Sequence, residues 1–240
     1  MLKRAVNRSL EKLGYRLTRI SPPSQGLNHF FPLLKRFGFD PKHILDVGAN
    51  RGDWTRVATR YFPRAHYTLV EPQDELKIHV RDLMAQGYQL DWINAGAGDQ
   101  PGVFTLQVNA DCASSTFLPV PTFVRQIRVQ VRTLNDIVAS TGLPIPEMVK
   151  IDAEGFDLKV LAGASELLGK TAIFLAEAAI VACDMENTAL AVIKSMADAG
   201  YRLIDITDLN RSPKHGVLWL CEFAFLLESS RLLRAAASYR

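Results

Sequence analysis

The chain has 240 residues, 48% hydrophobic and 22% charged, with a formal net charge of +3. Length and composition suit one globular core and exclude a disordered chain, and no apolar run reaches the length of a membrane span. The charge is uneven: Lys3, Arg4, Arg8, Lys12, Arg16 and Arg19 face only Glu11 within residues 1–20, so the remainder is slightly acidic and lacks the basic stripe of a nucleic-acid footprint.

Leu2, Val6, Leu10, Leu13 and Leu17 fall on one face of a helix whose other face is basic. Such a helix could lie on an anionic membrane surface, or pack against the body or a partner subunit. Ser21 to Gly26 reads as a linker, which gives an arm over residues 1–26 and a domain over 27–240. Charges interrupt Met1 to Ile20, so no secretory segment is expected there. Cys112, Cys183 and Cys221 stand far apart without a C-x-x-C pair, so neither disulfides nor zinc are expected. A cytoplasmic protein, or one peripheral to the inner face of a membrane, is the simplest account.

From there helical and strand-like segments alternate, as in an α/β fold with a mainly parallel sheet. Helices are expected at Asn28–Phe37, Trp54–Tyr61, Asp74–Ala85, Leu134–Ser140 and Thr188–Ala199. Strands are expected at Ile44–Val47, His66–Val70, Leu90–Asn94, Met148–Ile151, Ala172–Ala176, Arg202–Ile206 and Glu222–Leu227, the last two forming an antiparallel pair. Val103–Asn109 and Ile127–Val131 alternate with a two-residue period and read as a β-hairpin insertion after the third strand.

The stretch Asp46-Val47-Gly48-Ala49-Asn50-Arg51-Gly52 follows an apolar strand and precedes a helix. It lacks the further glycine of a dinucleotide site, so the expected ligand carries no pyrophosphate. A nucleoside with an amino-acid tail, such as S-adenosylmethionine, fits a turn that presents backbone amides to a carboxylate.

Together with Glu71-Pro72, Ser114-Ser115, Val131-Arg132-Thr133-Leu134, Val149-Lys150-Ile151-Asp152-Ala153-Glu154-Gly155 and Leu161-Ala162-Gly163-Ala164, that stretch makes residues 30–227 resemble the FkbM-type S-adenosylmethionine-dependent methyltransferases. The resemblance implies a class I methyltransferase (Rossmann-like) fold with helices on both faces of a seven-stranded mixed sheet, in strand order 3-2-1-4-5-7-6. It implies methyl transfer to an acceptor hydroxyl on a saccharide or secondary-metabolite scaffold. Asn135 and Glu222 depart from the family, which usually has aspartate at both places.

Asp46, Glu71, Asp99, Asp152 and Glu177 all fall at carboxyl ends of strands, where ligands of open α/β sheets gather. The expected donor site is Asp46, Gly48, Asn50, Gly52, Glu71, Gly98, Asp99 and Asp152. Glu71 would accept from the ribose hydroxyls, and Asp99 from the adenine amino group, as in the family. Asp152 is expected near the sulfonium and Glu154 toward the acceptor, with Glu177 and His215 as further candidate catalytic groups. Asp152, Glu154 and Glu177 could hold magnesium, or one acid could be functional while the others cap helices. His215, Arg211 and Lys214 could serve the site or face solvent. N-methylation or carboxyl methylation of a small molecule, and a non-catalytic cofactor-binding scaffold, are the alternative functions.

Overall fold

The computed structural model describes residues 26–110, 112, 114–181 and 185–237. The expected amphipathic helix and nearly all of the linker lie outside the described residues. Along the chain come α1 (Leu27–Arg36), β1 (His43–Val47), α2 (Asp53–Tyr61), β2 (His66–Val70), a 3-10 helix (Asp74–Val80), α3 (Arg81–Ala85) and β3 (Gln89–Ile93). They are followed by β4 (Gly96–Ala97), β5 (Gly102–Val108), β6 (Arg125–Arg132), α4 (Leu134–Thr141), β7 (Met148–Ile151) and α5 (Asp157–Ala162). The last elements are β8 (Ile173–Ala179), α6 (Ala189–Asp198), β9 (Tyr201–Arg211), β10 (Leu218–Leu227) and α7 (Arg231–Ala237).

The main sheet runs β3-β2-β1-β7-β8-β10-β9. Its first five strands pair in parallel, and β10 lies antiparallel to both β8 and β9. Setting aside the strands of the second sheet, this is the order 3-2-1-4-5-7-6 with an antiparallel seventh strand. β1 and β7 are buried along their whole length, as parallel strands covered on both faces must be. Leu45, Val149, Ile151 and Phe174 enter one core layer with Val160 of α5 and Val192 of α6. Ile44, Tyr67, Met148 and Leu175 enter the other with Phe31 and Leu34 of α1.

The second sheet has the order β4-β6-β5. β5 runs antiparallel to β6 from Gly102 opposite Val131 to Val108 opposite Arg125, and β4 lies parallel to the end of β6. Thr133 caps α4 by accepting from the Asp136 amide at 3.1 Å, which explains the threonine of the Val131–Leu134 stretch. The side chain of Asn135 ties α4 to the turn after α5, donating to Ser165 Oγ at 2.9 Å and accepting from the Glu166 amide at 3.0 Å.

Several elements differ from the sequence expectation. The single helix expected over Asp74–Ala85 opens as 3-10 turns, with Leu76 N bonded to Gln73 O at 3.0 Å. α5 was too short to show a helical period in the sequence. β9 and β10 extend past their expected ends, because the antiparallel pairing continues out to Arg211 and Leu218 through three irregularities of register.

Candidate active site

The carboxyl ends of β1, β2, β7 and β8 open into a cleft of about 600 Å³. At its floor β1 ends and the chain turns at Gly48, with φ 72°. A Cβ there would stand 1.9 Å from the Asp152 carbonyl oxygen, so glycine is what lets the turn touch the loop after β7. Asp46, fully buried beneath, accepts from Thr55 Oγ1 at 2.5 Å, while its other oxygen accepts no hydrogen bond and faces Lys150 Nζ at 3.4 Å. Lys150 Nζ also stands 3.2 Å from Asp152 Oδ2 and donates to the Gly48 carbonyl at 3.2 Å. Burial opposes its charge, yet Asp152, Asp46 and Glu222 together hold the ammonium above its ordinary pKa.

Glu71 closes one end of the cleft. Its Oε2 accepts from the Asn50 amide at 2.9 Å, and its Oε1 accepts from the Gln73 amide at 2.9 Å and from Gln73 Nε2 at 3.3 Å. Burial raises its pKa against these hydrogen bonds. Three of roughly four acceptor positions of a carboxylate are thus taken, so a grip on both ribose hydroxyls requires Gln73 Nε2 to leave Oε1. Above, Leu106 of β5 and Cys112, Ser115 and Phe117 from the stretch between β5 and β6 form a roof in the lining. Asn50 Nδ2 and Gln73 Nε2 both donate to the Cys112 carbonyl, at 2.9 and 3.0 Å. Asn50 and Cys112 adopt φ of 47° and 58°, uncommon for residues other than glycine, and they sit on either side of this tether.

Opposite lies a wall of carboxylates: Asp152, Glu154, Glu177, Asp208 and Glu222. Glu154 has φ 50°, and its carbonyl accepts from Thr116 Oγ1 at 2.8 Å, which fixes the turn under the roof. Burial, then the charges of Asp152, Glu154 and Asp157, push the Glu177 carboxyl well above the usual range. Burial lifts Glu222 to about 7 even though it accepts from Thr207 Oγ1 at 2.5 Å. Behind the wall, burial and the Asp152 charge bring Asp157 to about 7. Asn187 Nδ2 bridges Asp157 Oδ2 and the Glu177 carbonyl, at 3.2 and 3.0 Å.

Of the expected site residues, Gly48, Asn50, Glu71, Asp152, Glu154 and Glu177 line this one cleft. Asp46 lies under the floor, where it pins Thr55 and Lys150, and not against the ligand space. Gly52 starts α2 with φ 76° behind the turn. Gly98 packs against α5, since a Cβ on Gly163 would stand 2.1 Å from its carbonyl oxygen; Asp99 beside it is exposed and outside the lining. The cause is the pairing of Gly96-Ala97 with β6, which draws the chain away from the edge of the main sheet. His215 lies at the exposed tip of the β9–β10 pair, also outside the lining. Among the described residues, no three His, Cys, Asp or Glu side chains are arranged to hold a metal ion, so the acids expected to bind magnesium do not form such a group.

Lys150 and Gln73 were not singled out from the sequence. A lysine between apolar residues of a buried strand was the available signal for the first, because buried lysines are almost always paired. Gln73 gave no signal.

The lining suits S-adenosylmethionine in kind. Val47, Ala49, Val70, Ala95 and Ala97 give an apolar bed, the carboxylates suit a sulfonium and an ammonium, and the buried Gln73 Oε1 lacks a hydrogen-bond partner beside Glu71. Sheet order and cleft together define a class I methyltransferase. Residues 46–203 match the Methyltransferase FkbM domain, and the chain belongs to that family: it is an S-adenosylmethionine-dependent methyltransferase. No curated protein sequence matches the chain. Among solved structures it is similar to a precorrin-6y C5,15-methyltransferase from Geobacter metallireducens, with 13% identity, 88% of this chain and 93% of the other covered, and a TM-score of 0.47. It is also similar to a 1,6-didemethyltoxoflavin-N1-methyltransferase from Burkholderia thailandensis, at 14% identity, coverage of 82% and 75%, and a TM-score of 0.43. Fibrillarin from Aeropyrum pernix gives 11%, 81% and 74%, and 0.47.

Proposed function

We propose that the protein transfers a methyl group to a hydroxyl oxygen of a saccharide or secondary-metabolite acceptor. The observation that carries this reading is that Glu154 and Glu177 line the same cleft as Asp152. The bound donor would supply an electrophilic methyl group. The chain's own residues then have two tasks, to align the acceptor oxygen and to take its proton. In this reading Glu154 takes the proton. Glu177, its carboxyl kept protonated near neutral pH by burial and like charge, donates a hydrogen bond that orients the acceptor. Gly48, Asn50, Glu71, Gln73 and Asp152 hold the donor. A carboxylate acceptor fits this wall poorly, because like charges repel in a low-dielectric site.

Labelled S-adenosylmethionine offered with a panel of glycans and small metabolites, with products identified by mass spectrometry, tests the acceptor. Transfer to hydroxyl-bearing compounds supports the reading; transfer confined to amines or carboxylates overturns it. Glu154→Gln is expected to keep donor affinity within about twofold and to lower turnover by roughly a hundredfold or more, the usual contribution of general-base catalysis.

For the arm, we propose contact with an anionic membrane surface on the strength of its basic residues. Among the described residues no helix is long and apolar enough to cross a membrane. Liposome flotation with and without residues 1–20 tests the contact, and equal flotation would end it.

A further inference from the structure

We propose that Lys150 is a positioning residue for the methyl donor: it locks the Gly48 turn and the Asp152 carboxylate into one rigid surface. This rests on the donor reading of the cleft. Lys150 is 4% exposed and stands within reach of three oxygens: it forms ion pairs with Asp46 Oδ1 at 3.4 Å and Asp152 Oδ2 at 3.2 Å, and donates to the Gly48 carbonyl at 3.2 Å. The last two belong to different loops, one after β1 and one after β7, and both loops line the cleft. Asp46 is fully buried, and its Thr55 hydrogen bond leaves Oδ1 to Lys150 alone. Asp152 is 37% exposed on its side chain and lines the cleft together with Gly48 and Lys150, whereas Asp46 does not.

The geometry separates two roles for one ammonium. Neutralising Asp46 is a matter of stability, since removing one partner of a buried ion pair leaves a bare charge. Holding Asp152 and Gly48 is a matter of the site. An Asp152 freed from Lys150 would face Glu154, Glu177, Asp157 and Glu222 without a counter-charge, and would turn away from its present position.

The test uses the full-length chain with S-adenosylhomocysteine as the probe, read by calorimetry and by thermal melting. Lys150→Met is expected to lower both the melting temperature and the affinity, the latter by about tenfold to a hundredfold, the size of a lost charge-assisted hydrogen bond. Asp46→Asn combined with Lys150→Met removes the buried pair together. It is expected to recover the melting temperature while the affinity stays low. A cycle of Asp152→Asn, Lys150→Met and their combination is expected to be non-additive, with the double variant binding no worse than the weaker single. The proposal is overturned if the Asp46→Asn combination restores affinity along with stability, or if the cycle is additive. Wild-type protein that binds neither S-adenosylmethionine nor S-adenosylhomocysteine would remove the donor reading itself, a result distinct from either.

Discussion

A Cβ on Gly48 would stand 1.9 Å from the carbonyl oxygen of Asp152, so the turn after β1 and the loop after β7 are in backbone contact. Gly48→Ala must also place a side chain at φ 72°, a conformation that costs roughly 1–2 kcal/mol for an L-residue. The two loops then have to part, and S-adenosylhomocysteine affinity is expected to fall by at least about tenfold, a loss of ~1.4 kcal/mol. Calorimetry checks this, and a variant that binds like wild type would show that the contact yields.

Gln73 Nε2 holds both the roof, through the Cys112 carbonyl, and the Glu71 carboxylate, through its Oε1. Gln73→Ala removes one of three side-chain hydrogen bonds to that carbonyl and leaves those from Asn50 and Ser115. A typical hydrogen bond contributes about 1 kcal/mol, so the off-rate of S-adenosylhomocysteine should rise about fivefold with little change in on-rate. Stopped-flow dissociation reads it directly; a slower off-rate would mean that the tether opposes binding.

The Glu222 carboxyl titrates at about 7 in the folded chain against an ordinary 4.5. Between those values the folded state keeps a proton that the unfolded state has lost. Its contribution to stability is therefore complete below the unfolded value and disappears as pH rises through the folded one, a change on the order of 3 kcal/mol. Glu177 acts in the same direction. Urea unfolding of wild type and Glu222→Gln at pH 5 and pH 8 should show the variant losing less stability on going to the higher pH. Equal losses would refute the shift.

His215 and Asp99 are exposed and stand outside the cleft lining. His215→Ala and Asp99→Ala should each leave donor affinity and turnover within about twofold, as surface substitutions do. A tenfold loss in either would mean that its loop folds over the ligand.

The main sheet was legible because its central strands are short, mostly apolar runs with acids at or near their carboxyl ends, which suits parallel strands covered on both faces. The same logic placed Glu71, Asp152, Glu154 and Glu177 on one edge. It misplaced Asp99 because two residues, Gly96 and Ala97, pair with β6, a choice set by a partner distant in sequence. His215 was carried off by pairing that continues past Leu220 to Leu218. Asp157 and Asn187 meet across 30 residues, through packing that spacing does not encode. Gly98, expected in the donor site, and Gly163 instead serve the close approach of two chain segments, which spacing does not show.

The hydrogen bond from Lys150 to Gly48 spans 102 residues, and β1 finds its second neighbour only at Met148–Ile151. During synthesis β1 can pair with β2 early, but its other edge stays bare until β7 emerges, and Asp46 waits equally long for its counter-charge. The middle of the finished sheet thus stays open on one side until β7 emerges from a growing chain. Fragments that stop short of β7 should aggregate through that open edge instead of forming a smaller stable unit.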